Sequence, residues 1–142
     1  MTTRAEVDTV KAILDASPSM AGRVFVTEAY DRDGKPLIET PYWVIHPAGG
    51  SDSQTRLTGD YAEHEASFVI HSVHDDADGA LWGNEQVDGA LRPRGRGVIP
   101  LVPGRRTDPV RRDALLPVDV DRDSTPSLVF VPAEYAFTSA PA

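Results

Sequence analysis

Apolar residues near the start of the chain recur with helical spacing. At ~100° per residue, Val7, Val10, Ile13 and Leu14 fall within an arc of about 120°, with Glu6, Asp8, Lys11 and Asp15 mostly outside it. Thr3 and Glu6 form a T-x-x-E capping box, in which hydroxyl and carboxylate reciprocally satisfy backbone donors. The pattern predicts a helix over about residues 3–16, ended by Ser17, Pro18 and Ser19, because proline disfavours helical geometry in the residue before it.

The pattern then changes to strand character. Residues 23–29 (RVFVTEA) are β-branched and aromatic, and Asp31 to Lys35 read as a turn. Residues 41–46 (PYWVIH) alternate Tyr42 and Val44 on one face with Trp43 and Ile45 on the other. Both faces are apolar, so both should be covered. Residues 47–53 form a Gly- and Ser-rich loop. Residues 61–74 make the longest strand, with a solvated first half (Glu63, Glu65) and a buried second half (Phe68, Val69, Ile70).

Asp75, Asp76 and Asp78 sit where carboxylates favour a helix N-terminus, and a helix through about Leu91 follows before Pro93 stops it. Ala80, Val87 and Leu91 line one face. Gly79, Gly83 and Gly89 each weaken this helix by about 1 kcal/mol relative to alanine, so tertiary packing or a closely approaching neighbour must hold it. Trp82 lies roughly 140–180° from the Val87/Leu91 stripe, as an exposed anchor or in a frayed first turn. Two further strands, 115–120 and 127–131, bracket a turn at 121–124. Pro132 fits an edge or bulge. Tyr135 and Phe137 can extend the last strand, and 138–142 read as a loose tail after one domain spanning 1–137. The periodic positions Val10, Leu14, Val26, Val44, Phe68, Ile70, Val87, Leu91 and Phe130 form the expected core.

Composition narrows the class. A chain of 142 residues, 40% hydrophobic and 25% charged, sustains a core without cross-links and is no disordered polymer. There is no cysteine, no apolar run long enough for a membrane span and no signal-peptide core near the start, so a cytosolic protein is expected. The net charge of −8 hides an asymmetry: residues 92–112 carry seven arginines against one aspartate, leaving −14 on the rest. An acidic body argues against a general nucleic-acid binder. The basic island of Arg92, Arg94, Arg96, Arg105, Arg106, Arg111 and Arg112 is either a solvated hairpin loop or a docking surface for an acidic partner.

Reactive chemistry is sparse. His64 and His71 are seven apart and point to opposite faces of one strand, so with His74 they make no metal cage. Asp119, Asp121 and Asp123 open like a calcium loop, but Ser124 stands where such a loop needs glycine and Phe130 where it needs a bidentate glutamate. No nucleophile elbow, phosphate loop or dinucleotide fingerprint occurs, and GGSDS at 49–53 lacks a lysine. Glu28, Glu63 and Glu65 are the remaining carboxylates that could pair, and nothing in the sequence raises their pKa. No catalytic, cofactor or metal residue is assigned, and a non-enzymatic role is expected.

The order of elements resembles the tail terminator (tail completion, minor tail) proteins of long-tailed bacteriophages. The matching features are the opening helix with Val7, Val10, Ile13 and Leu14, the GRVFV strand at 22–26, the PYWVI strand at 41–45, the FVIHSVHDD strand at 68–76 feeding a helix, and the closing SLVFVP strand at 127–132. The resemblance implies an α+β domain, a mainly antiparallel sheet with two helices packed on one face, assembling as a hexameric ring. Such a ring caps the tail tube and joins it to the head-tail connector or head-closure protein, with DNA only as passing cargo in the channel, no membrane and no cofactor. It implies a virion protein made in the bacterial host cytoplasm. Trp82 and the seven arginines are then the candidate interface. Two other classes fit the same pattern: a small-molecule binding module or enzyme of cone-shaped α+β type, with Trp43, Phe68 and Tyr135 lining a pocket, and another neck or head-closure protein.

Overall fold

Thr3 closes the first helix by the reciprocal cap that the sequence predicts: its hydroxyl accepts from the Glu6 amide at 3.3 Å, and its own amide donates to Glu6 Oε1 at 2.9 Å. In the computed structural model, which describes residues 2–37, 39–48, 52–53, 63–123 and 127–142, helix α1 spans Arg4–Asp15. Helix α2 spans Ala77–Leu91 and is capped by Asp76, whose carboxylate accepts from the Gly79 amide at 2.7 Å.

Eight strands among the described residues form one sheet: β1 (Val24–Val26), β2 (Tyr42–Pro47), β3 (Asp52–Ser53), β4 (Glu63–His74), β5 (Arg105–Thr107), β6 (Arg111–Leu115), β7 (Asp119–Asp121) and β8 (Leu128–Pro141). The order β1-β2-β4-β8 makes the spine, with β3 beside the start of β4. Strands β5, β6 and β7 succeed one another along the outer edge of β8, opposite residues 139–141, 133–136 and 128–130. Only β1 and β2 are parallel. The protein is an α+β fold with a mainly antiparallel sheet and two helices.

The helices cover one face. Trp43, Ile45, Phe68, Ile70, Tyr135 and Phe137 rise from β2, β4 and β8 to meet Val10, Leu14, Val87 and Leu91. A fully buried side chain of this size contributes roughly 1.5–3 kcal/mol, so this layer dominates stability. Among the described residues the opposite face carries no helix. A smaller cluster of Leu37, Tyr42, Val44, Val73 and Leu128 sits there, flanked by Phe25 and Phe130. Both faces of β2 are covered, as its double apolar pattern predicts, but the second face is covered by the chain around Leu37 and by the sheet's own neighbours.

Gly83 admits a close approach between layers. Trp43 Nε1 donates to the Gly83 carbonyl at 3.0 Å, and a Cβ there would stand 3.3 Å from that nitrogen. Trp82 lies in the regular helix, 39% exposed, with its ring 6.2 Å from that of Trp43, so the first turn is not frayed.

Several expectations are corrected. Glu6 is completely buried: it lies four residues from Val10 and seven from Ile13, on their face rather than outside it. Strand β1 ends at Val26, because Thr27 adopts φ 66°, a conformation a strand cannot contain. Val26 and Phe130 are only partly buried. The first half of β4 is covered on the His64/Ala66 side, and only the Glu63/Glu65 side meets solvent. The Arg-rich segment is no simple loop, since it supplies β5 and β6. The strand expected at 115–120 is interrupted between Leu115 and Asp119, where Pro117 lacks a donor for the ladder. The expected loose tail is strand: β8 runs to Pro141, paired with Arg105. Pro132 is internal to the sheet. Its carbonyl accepts from the Leu116 amide at 2.9 Å, so its donorless nitrogen faces the seam between β6 and β7 and no bond to β4 is lost. Tyr61, the 49–51 part of the loop and Ser124 lie outside the described residues.

Candidate functional site

The most connected polar assembly joins α1 to β4, β5 and β8. Both oxygens of Glu6 meet His64 Nε2, at 2.6 and 2.9 Å. The other nitrogen of His64, Nδ1, lies 3.3 Å from Arg105 Nη2. Arg105 donates from Nε to Ser139 Oγ at 2.9 Å and from Nη2 to the Ser139 carbonyl at 2.8 Å. A guanidinium can only donate, so His64 accepts at Nδ1 and donates from Nε2, which fixes its neutral tautomer. Burial raises the Glu6 pKa, but hydrogen bonds from Thr3 and His64 outweigh it and hold the carboxyl below the ordinary range. An acid, a histidine and a serine are present, yet the histidine faces an arginine rather than the serine hydroxyl, and Ser139 and Glu6 are sealed from solvent. The chemistry available is structural: a charge-assisted clamp.

A second node gathers at Asp88. Its Oδ1 accepts from the Tyr135 hydroxyl at 3.1 Å and from Arg92 Nη1 at 3.3 Å, with Arg112 Nη1 at 3.8 Å. Burial first, then the Asp88 charge, pushes the Tyr135 hydroxyl pKa well up. Arg111 pairs with Glu65 and, at 2.9 Å, with Asp113.

These contacts divide the seven arginines. Arg92, Arg105, Arg111 and Arg112 are held by their own chain. Arg94, Arg96 and Arg106 are exposed, with no ionic partner among the described residues. Arg94 and Gly95 adopt φ 57° and 77°, a tight left-handed turn that projects Arg94 and Arg96 just beyond α2.

The helix-free face carries a groove of about 650 Å³. Its floor is a run of rings: His46 and His71, on adjacent strands, have centroids 4.4 Å apart, and His71 stacks on Phe130 at 4.8 Å and 18°. Burial lowers the pKa of both histidines; His71, beside His46 as well, falls to about 4, so both are neutral at physiological pH. Asp119, Asp121 and Asp123 stand along the rim with Arg122. The odd spacing does put His64 and His71 on opposite faces, and His74 accepts from the Asp75 amide at 2.8 Å instead. The pairing of His71 with His46 was missed, because it depends on the register of two strands separated by a loop. Among the described residues no three histidine or acidic side chains form a metal-binding group. Trp43, Phe68 and Tyr135, expected around a pocket, are 0, 1 and 2% exposed inside the helix-side core. Glu28 lies far from the Glu63/Glu65 strand in sequence and bonds with Tyr30.

A second groove, about 660 Å³, runs between the outer face of α1 and residues 98–103 and is mostly apolar; Leu101, beside it, is 87% exposed.

No protein-family model and no curated protein sequence matches the chain. Among solved structures it is similar to a protein chain of the virion of a native gene transfer agent particle, at 16% identity and a TM-score of 0.59, over 92% of this chain and 84% of that one. At that identity the likeness is one of fold.

Proposed function

We propose that this chain is a structural protein of a phage-like virion, and within it a tail terminator: a homo-oligomeric, hexameric ring that caps the tail tube and joins it to the head-tail connector. The observation that carries the reading is the likeness in fold to a gene transfer agent virion chain, over 92% of this chain. Two features of the surface support it: three arginines without ionic partners among the described residues, and exposed apolar side chains, Leu115, Leu116 and Val118, on the outer sheet edge. Edges and patches of this kind are what assembled proteins cover. On this reading the partners are further copies, the tail tube protein and the head-closure protein, DNA only passes through, and the protein acts in the virion after synthesis in the host cytoplasm.

The test is to delete the gene from the particle's genome and image the products. Tails of uncontrolled length, or filled heads and tails that fail to join, are expected, with immunogold against this chain decorating the neck of normal particles. Purified particles that contain none of this protein would overturn the proposal; label at the baseplate would keep the virion role and remove the terminator role.

A further inference from the structure

The geometry points to a specific contact between copies: the Arg94–Gly95–Arg96 turn of one copy seats in the acid-rimmed aromatic groove of the next. The inference rests on the oligomeric reading above and names the surfaces that make it.

The groove suits guanidinium groups. His46, His71 and Phe130, half-buried in the groove, offer flat π surfaces, on which arginine stacks more readily than any other charged side chain. Asp119, Asp121 and Asp123 place three carboxylates at the rim against the single cation of Arg122. The two imidazoles are neutral, so they do not repel a cation. The same groove would be a poor site for an anionic ligand, which would meet the carboxylates first.

The turn suits the groove. Arg94 and Arg96 are exposed, without an ionic partner among the described residues, and separated by one glycine, so two guanidinium groups leave a narrow base. They cannot reach their own groove, because the turn follows the end of α2 on the helix-covered side while the groove opens on the helix-free side. A contact between two different patches on opposite faces is head-to-tail, the kind that closes a ring or propagates a filament. Exposed ion pairs are weak one at a time. Two arginines, each stacked on a ring and paired with a rim carboxylate, combine both terms at one place.

The test uses two full-length variants. Asp119→Arg/Asp123→Arg reverses the groove and keeps the turn, whereas Arg94→Glu/Arg96→Glu reverses the turn and keeps the groove. Each alone should lose self-association by at least tenfold in sedimentation, with the thermal midpoint of wild type. Mixed, the arginine turn of one meets the acidic groove of the other and the glutamate turn meets the arginine groove, so the two should co-assemble in alternation although neither self-associates. Combining all four changes in one chain should restore self-association. Arg106→Glu is the control for net charge, since Arg106 sits opposite Ala140, five residues along β8 from the Tyr135 level where Arg112 pairs; it should leave association within twofold of wild type. Wild-type assembly unaffected by both double variants, or a mixture and wild type that stay monomeric at 1 mM, overturns the contact. Neither result touches the virion role, which the imaging experiment decides separately.

Discussion

Glu6 shows how one side chain serves both a helix end and a core. Its carboxylate caps α1 through Thr3 and clamps β4 through His64, so removing it strands buried donors on both sides. Glu6→Ala should cost about 1–3 kcal/mol in urea unfolding at pH 7, the price of unmade buried hydrogen bonds. The pH dependence has a definite sign. The folded pKa of Glu6 lies below its unfolded value of 4.5, so the stability it adds is full above pH 4.5 and is lost as pH falls through the folded value; the Ala variant should lack that acid-side loss. His71 acts in a higher window. It resists protonation down to about 4 when folded but takes a proton near 6.5 when unfolded, so stability falls as pH drops from 6.5 towards 4. One such group changes stability by up to about 1.4 kcal/mol per pH unit, less where solvent reaches the open groove. His71→Gln should flatten that slope, and an unchanged slope would place the titration elsewhere. The cap was legible as T-x-x-E, but the clamp was not, because its partners lie 58 and 99 residues further along the chain.

At the scale of elements, both helices and the two central strands were legible, since each buries a stripe whose period the sequence displays. Leu14, Phe68, Ile70, Val87 and Leu91 are buried as their spacing requires. Phe68→Ala should therefore cost about 2–5 kcal/mol by chemical denaturation. Strands β5 and β6 were hidden because their side chains are arginines; what makes them strands is the vacant edge of β8, not any propensity of their own. The whole stretch depends on backbone contact. Val98 donates to the Leu91 carbonyl and accepts from the Val110 amide, both at 2.9 Å, and Gly97 passes directly over Val110. A Cβ at Gly97 would overlap the Val110 carbonyl, and backbone cannot step aside as a side chain does. Gly97→Ala should cost about 1–3 kcal/mol and raise amide exchange first in residues 98–112. Gly89→Ala, with open space around its Cβ, should be neutral or stabilising by comparison.

For the whole molecule, the charge map was legible and its meaning was not. The sequence places +6 in one segment, but only the fold reveals that Arg92, Arg105, Arg111 and Arg112 are tied to their own chain, which rules out Arg105 and Arg111 as sites for harmless charge reversal. Among the described residues, the island's arginines without an ionic partner are Arg94, Arg96 and Arg106, and one concentration of acidic side chains lies along the groove rim at Asp119, Asp121 and Asp123. Apolar surface follows the same division between what the fold uses and what it leaves out. Ile99 and Leu101 are 57 and 87% exposed, while their neighbour Val102 is 4% exposed and anchors the segment to the helix-side core. A leucine side chain that stays in water adds almost nothing to folding, and beside exposed Ile99 it extends apolar surface of the kind that association can cover. Leu101→Lys should leave stability within about 0.5 kcal/mol of wild type, as surface substitutions do, while Val102→Ala should lose more than that. The same Leu101→Lys chain should scatter less light than wild type when concentrated. A large loss of stability at Leu101 would mean that the 98–103 segment packs against α1 rather than standing open beside it.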